Sequence, residues 1–502
     1  MRPSRAPEPH RLVEVELDDA ADAPGTPVRA ADGAPSDAGR PPDAPHDGED
    51  RRARRGRGLR AAALATCVVL ALVVVANVVE LRRDRERAAR IEGLPGVVDS
   101  LAEPLTERWR ADGWVSADLG ELLLLDTPDG IRAVDPATGE TAWRMGSEER
   151  ERLGVDHCRL PGDSTYIAGQ EQPRPEVVLC VPPLWGTDTG TGAVALLVLD
   201  VRTGEVLRTL ETAGRPLTLE WVDDGVVLLL ATPEGTVRAV AWDLATGTLR
   251  WDTTTTTAVF RPGGGDEGLL NWQRLDEVAL LTGSTGDVAV DLTTGAEVTW
   301  DGSEEMPTGE IRVELADGST LVWVWNDEDA GGRVEDEGGG TRFRLTDVPM
   351  LPLVDDGAVT DVLVVDGQDG VRGLDLATGE ELWVSEVPDG FGLLSIDGTL
   401  VVANGGRIVA LDMRHGTTLW EEEAGSLGYP TTPTDGELLL RLERATDPMR
   451  TAGPEDSVLV ARSIADGREV WRLPLGTPAH DVITTRDGHV VISTDEGVVG
   501  LG

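Results

Sequence analysis

No lysine occurs among the 502 residues, so all 45 basic side chains are arginine, set against 90 Asp and Glu for a formal net charge of −45. The imbalance is local. Residues 1–103 hold 16 Arg and 18 acids, whereas residues 104–502 hold 29 Arg and 72 acids. A field of that sign repels phosphate backbones and anionic lipid surfaces, which argues against nucleic acid as a partner. It favours solubility and cationic partners, although adaptation to salt or a codon bias toward Arg, Asp and Gly explains it more simply than selection for a basic ligand. Cysteine is nearly absent as well. Cys67, Cys158 and Cys180 are too few for a disulfide scaffold. Cys158 and Cys180 lie close enough in the chain for one bridge if that part is exported, and Cys67 has no partner in its own apolar run.

The motifs of common chemistries are missing too. There is no P-loop, no GxGxxG, no GxSxG and no HExxH. The six histidines (His10, His46, His157, His415, His480 and His489) are scattered. Asn326 to Asp329 and Glu335 to Glu337 gather carboxylates at a spacing that matches no EF-hand, so a solvated acidic loop is the simpler reading. No catalytic, cofactor-binding or metal-ligating residue is expected, and no small-molecule substrate is identifiable.

What is present falls into four stretches. Residues 1–58 are rich in Pro, Ala, Asp and Gly and read as a disordered tail. Residues 59–79 read as a transmembrane helix, because the uncharged run Ala61 to Val79 is interrupted only by Thr66 and Asn77 and spans roughly 28 Å as a helix. A cleaved signal peptide would need a charged leader of nearly the whole preceding stretch, and no small-residue cleavage site follows the run. Arg51, Arg52, Arg54, Arg55, Arg57 and Arg60 before the run slightly outnumber Arg82, Arg83, Arg85, Arg87 and Arg90 after it. The tail is therefore expected in the cytoplasm, with the remainder outside the plasma membrane. Residues 80–103 read as a juxtamembrane linker whose helix ends at Gly93, Pro95 and Gly96.

From residue 104 onward one unit recurs: a small residue, then Asp two positions on, then Thr-Gly, then Trp four residues after the Gly. The copies centre on Asp135-Thr138-Gly139-Trp143, Asp200-Thr203-Gly204, Asp243-Thr246-Gly247-Trp251 and Asp291-Thr294-Gly295-Trp300. After a gap follow Asp375-Thr378-Gly379-Trp383, Asp412-His415-Gly416-Trp420 and Ser463-Asp466-Gly467-Trp471. Arg208 stands where the second Trp is due, and Trp300 comes one residue late. Asp accepts hydrogen bonds from backbone N–H groups two residues on, and Gly supplies the positive φ of a hairpin with a bulge. Each unit is thus two antiparallel strands and their turn. Alternation places the small residue where a large indole can lie against a neighbouring sheet.

Apolar strands such as Leu122 to Leu125, Val226 to Leu230 and Leu400 to Val402 precede the copies, giving four-stranded sheets. The Gly residues are 65, 43, 48, 84, 37 and 51 positions apart, which centres on one propeller blade. The expected fold is all-β: residues 104–502 form an eight-bladed β-propeller of four-stranded antiparallel sheets, with seven or nine blades as alternatives. Nine follows if the long gap, with Thr320 to Trp325 and Thr341 to Leu345, is itself a blade. The closing blade is expected to combine His489 to Ser493 and Gly497 to Leu501 with Glu107 to Arg110 from the domain start.

The Asp-x-x-Thr-Gly-x-x-x-Trp unit resembles the tryptophan-docking repeat of the pyrroloquinoline quinone (PQQ) family of β-propellers, which includes outer-membrane assembly lipoproteins. That resemblance implies a fold more than a function. Quinone-dependent dehydrogenases of the family carry an adjacent Cys-Cys pair, a calcium site and a catalytic Asp, and this chain has no Cys-Cys pair. The leading expectation is a non-enzymatic, membrane-anchored propeller that binds or scaffolds envelope or secreted proteins, with no cofactor. A PQQ-dependent oxidoreductase and an envelope ligand sensor are the alternatives.

Overall fold

The computed structural model describes residue 82 and residues 85–502, apart from 161–174, 185–192, 223–224, 262–270, 276, 300–309, 325–330, 388–389, 405, 424–431 and 445–456. The described residues all lie in the second of two units, Asn77–Gly502. The tail and the run Ala61 to Val79 lie outside the described residues. Among the described residues, no helix is long and apolar enough to cross a membrane.

The second unit is all-β, as expected. Its described strands form nine sheets in chain order: 114–146, 157–213, 215–254, 271–298, 310–345, 348–384, 391–423, 438–474, and 479–501 joined by Glu107–Ala111. These are called sheets 1 to 9. Seven are four-stranded, sheet 7 gains Val354–Asp355 as a parallel fifth strand, and sheet 8 has three described strands. Eight blades were expected, with seven or nine as alternatives. The long gap between repeat copies forms a sheet of its own, sheet 5, which carries no Asp-Thr-Gly turn. The closing sheet has the expected composition, with Glu107–Ala111 paired antiparallel to Gly497–Leu501.

Continuous apolar runs form the second strands because sheets 1 to 3 and 6 to 9 have a packed core on both faces. Leu123, Leu124 and Leu125 are fully buried, as are Val226, Leu228, Leu229 and Leu230. Alternate residues along such a strand enter different cores. Leu124 packs with Trp143 and sheet 2, whereas Leu125 packs with Trp109 and sheet 9. Register then places the small residue opposite the tryptophan: Ala133 faces Trp143, Ala241 faces Trp251, Gly373 faces Trp383, Ala410 faces Trp420 and Ala461 faces Trp471. A register shift follows each of these pairs, the bulge that the repeat turn demands.

Candidate functional site

Each repeat turn is a local hydrogen-bond device. Asp135 accepts from the backbone N–H groups of Ala137 and Thr138 at 2.8 and 2.9 Å, and Asp200, Asp291, Asp375 and Asp412 repeat the pattern. In the last copy, Ser463 takes the place of Asp and its hydroxyl bonds Asp466 instead.

The tryptophans dock across sheets. The indole N–H of Trp109 donates to Pro136 O, Trp143 to Val201 O, Trp251 to Thr293 O, Trp383 to Met413 O and Trp420 to Ile464 O, all at 2.7 to 2.9 Å. Each acceptor directly follows the turn Asp, or Ser463, of the next sheet, except Thr293, which stands two residues after Asp291. The indole lies flat on that turn's glycine: a Cβ on Gly416 would stand 2.3 Å from Trp383 Cε3. Two units dock without tryptophan. Arg208 lies against Gly247, and sheet 5 uses Phe343 on Gly379 while Arg342 donates to Leu376 O at 3.1 Å. Arg342 thus supplies the N–H that the indole supplies elsewhere, a substitution that sequence reasoning missed. Trp300 lies outside the described residues.

Trp471 meets no repeat turn in the closing sheet. It donates instead to Leu101 O at 2.7 Å. Leu101 belongs to the segment expected to be a linker, and residues 85–101 are in fact packed on the unit. Residues 85–91 are helical, and the helix ends at Gly93 with φ +80°. Arg90 donates to Asp356 at 2.9 Å and also to Asp397, and Arg87 bonds Asp397 and Glu437. Ile91 is buried against Gly436, Leu94 and Val97 pack on the sheet 7 core, and Val98 and Leu101 enter the core of sheets 8 and 9. Val98 N donates to Thr434 O, Thr434 N to Gly96 O, and Leu101 N to the Asp435 carboxylate. Apolar residues spaced through a charged stretch were the available sequence signal for this strap. A groove of about 610 Å³ lies beside it, lined among others by Arg85, Ala88, Glu92, Asp435 and Arg486.

A family model described as outer membrane protein assembly factor BamB matches residues 284–432 and 404–501. The chain resembles these assembly propellers. BamB of Yersinia pestis is 23% identical over 367 residues, covering 72% of this chain and 79% of that protein. Among solved structures, BamB from Moraxella catarrhalis matches 80% of this chain and 97% of its own at 17% identity, with a TM-score of 0.33. The quinohemoprotein alcohol dehydrogenase from Comamonas testosteroni matches 80% and 75% at 15% identity, with a TM-score of 0.34.

The features set apart in the sequence have the following places. Cys158 and Cys180 are joined in a disulfide across the first two strands of sheet 2, where they are directly opposite each other. Asn326 to Asp329 lie outside the described residues. Of the neighbouring acids, Glu335 is held by Arg312 and Arg333, whose guanidiniums keep its carboxyl below the usual range, and Asp336 pairs with Arg342. His157, His415 and His480 each meet one aspartate, Asp156, Asp412 and Asp495 respectively. Among the described residues, no group of three or more His, Cys, Asp or Glu is placed to hold a metal ion. Burial pushes the carboxyls of Asp118 and Asp355 up, but backbone N–H groups of Gly120, Arg486 and Gly357 occupy both.

Proposed function

We propose that this chain is a non-enzymatic propeller that binds or scaffolds envelope or secreted proteins, with each of its nine sheets serving as one blade. It is held at the plasma membrane by residues 59–79, with residues 1–58 in the cytoplasm and the propeller outside. The observation that carries this reading is the match of residues 284–501 to the assembly-factor family, on a frame whose recurrent Asp and Trp residues, among those described, are engaged in turns and docking. The strap on sheets 7 to 9 supports it further, since the chain leaving the expected span is fixed to the unit rather than free.

Crosslinking in intact cells followed by recovery of the full chain tests the partner claim. Specific envelope proteins should be enriched over a control bearing only residues 1–103. Recovery indistinguishable from that control would remove the claim. A reporter fused after Gly502 should be active only outside the cytoplasm, and activity confined to the cytoplasm would reverse the topology. Stoichiometric binding of PQQ with alcohol- or sugar-dependent dye reduction would replace the reading with an oxidoreductase.

A further inference from the structure

The repeat provides its own internal control for which side chains the fold requires. In seven sheets, the residue just past the partner of the small residue on the second strand is fully or almost fully buried: Leu125, Cys180, Leu228, Leu281, Val365, Val402 and Ile492. Sheet 8 has Arg441 there, opposite Val460. The residue just past the small one on the third strand is apolar in the same seven sheets, as with Val134, Leu199 and Leu411, yet sheet 8 has Arg462. Both arginines are buried, at 6 and 7% exposure. Leu439 packs with the sheet 7 core while Leu440 and Leu442 pack toward sheet 9, so alternation turns Arg441 and Glu443 toward sheet 7.

The acid available in this cluster is already used. Glu443 Oε1 accepts from Arg462 Nε and Nη2 at 3.1 and 2.9 Å, and its Oε2 accepts from Arg472 at 3.3 Å. Arg472 also holds Glu469 at 2.7 Å. Among the described residues, three guanidiniums therefore face two carboxylates, and Arg441 Nη1 is buried with no hydrogen-bond partner. Burial and the nearby Arg462 lower Arg441 to about 10, against the pull of Glu443. A buried guanidinium nitrogen without a hydrogen-bond partner is costly, and departures from the local rules of a fold concentrate at functional sites.

We propose that Arg441, backed by Arg462 and Arg472, is a recognition site for a single carboxylate between sheets 7 and 8. The guanidinium fork matches a carboxylate in two-point contact. One surplus positive charge matches one carboxylate and not a dianionic phosphate. The acidic excess of residues 104–502, 29 Arg against 72 acids, repels a polyanion, so the ligand is a compact monoanion.

The test uses the full chain in detergent, with sodium acetate as the probe against sodium chloride and sodium phosphate at matched ionic strength. Acetate at tenfold excess over its dissociation constant should raise the unfolding midpoint by about 2 °C over chloride. Arg441→Met should abolish that rise and melt no lower than the wild type in chloride, because the unpaired charge is gone. Arg441→Lys keeps the charge and loses the fork, and should weaken acetate binding, read from broadening of the labelled acetate NMR line, by about fivefold or more. An equal acetate response in wild type and Arg441→Met, or no broadening with the wild type, would overturn the proposal. A rise with phosphate but not acetate would overturn the carboxylate assignment.

Discussion

Replacing Gly416 by alanine separates two costs that act together at every docking turn. Gly416 has φ +67°, and a Cβ there would stand 2.3 Å from Trp383 Cε3 and 2.5 Å from Cδ2. The left-handed conformation alone costs an alanine about 1–2 kcal/mol. Forcing the indole aside adds about 1–3 kcal/mol, the usual range for overpacking. Gly476 is the control, since its φ is +69° and nothing lies within 4 Å of its Cβ position. Gly476→Ala should therefore show only the first cost. For a unit of roughly 400 residues, 1 kcal/mol moves the midpoint by only about 1 °C, so denaturant titration is the better assay. Gly416→Ala should lose about 2–5 kcal/mol and Gly476→Ala about 1–2 kcal/mol. In a Trp383→Leu background, the cost of Gly416→Ala should fall to that of the control, a coupling that a double-mutant cycle reads directly. Equal losses for the two single variants would refute the claim that docking requires the glycine.

Arg90→Ala leaves the Asp356 carboxylate, 0% exposed, without its cation, and should cost about 3 kcal/mol and expose residues 85–101 to protease. Arg87→Ala, whose partners are largely solvated, should cost under about 1 kcal/mol, and equal effects would show that the strap is not held at Asp356. Alkylation without reductant should leave Cys158 and Cys180 unmodified, and reduction should cost about 3 kcal/mol; quantitative labelling of both would contradict the bridge. The hydroxyl and N–H of Thr246, with Arg250, hold Asp243 at about 2. Because that lies below the unfolded value, the stability it confers is present above about pH 4 and lost as the pH falls toward 2. Asp243→Asn should flatten the acid limb of a stability titration in that window, and an unchanged slope would exclude the turn contacts as its source.

The repeat turns were legible because their requirements are local. Asp135 bonds N–H groups two and three residues on, and Gly139 must take a positive φ, so spacing alone discloses both. The closing sheet was legible too, since Glu107 to Arg110 is an unclaimed Trp-bearing strand and Gly497 to Leu501 lacks one. Sheet 5 was read only as an alternative, because Arg342 and Phe343 divide between them the two tasks of one tryptophan. Arg441 and Arg462 gave no signal, because an arginine in a strand reads as exposed until the neighbouring sheet is known to cover it.

The sequence by itself determined the all-β class, the order of the strands and the end-to-end closure, because turn chemistry and two-residue alternation act over a few positions. Only the tertiary structure decided what those strands face. It arranged the described strands in nine sheets, brought Leu101 to the indole of Trp471 across 370 residues, bound Arg90 to Asp356, and buried in sheet 8 a guanidinium whose Nη1 has no hydrogen-bond partner. These contacts join segments far apart in the chain. Their energies depend on burial and on which charge lies opposite, and neither is encoded in local spacing.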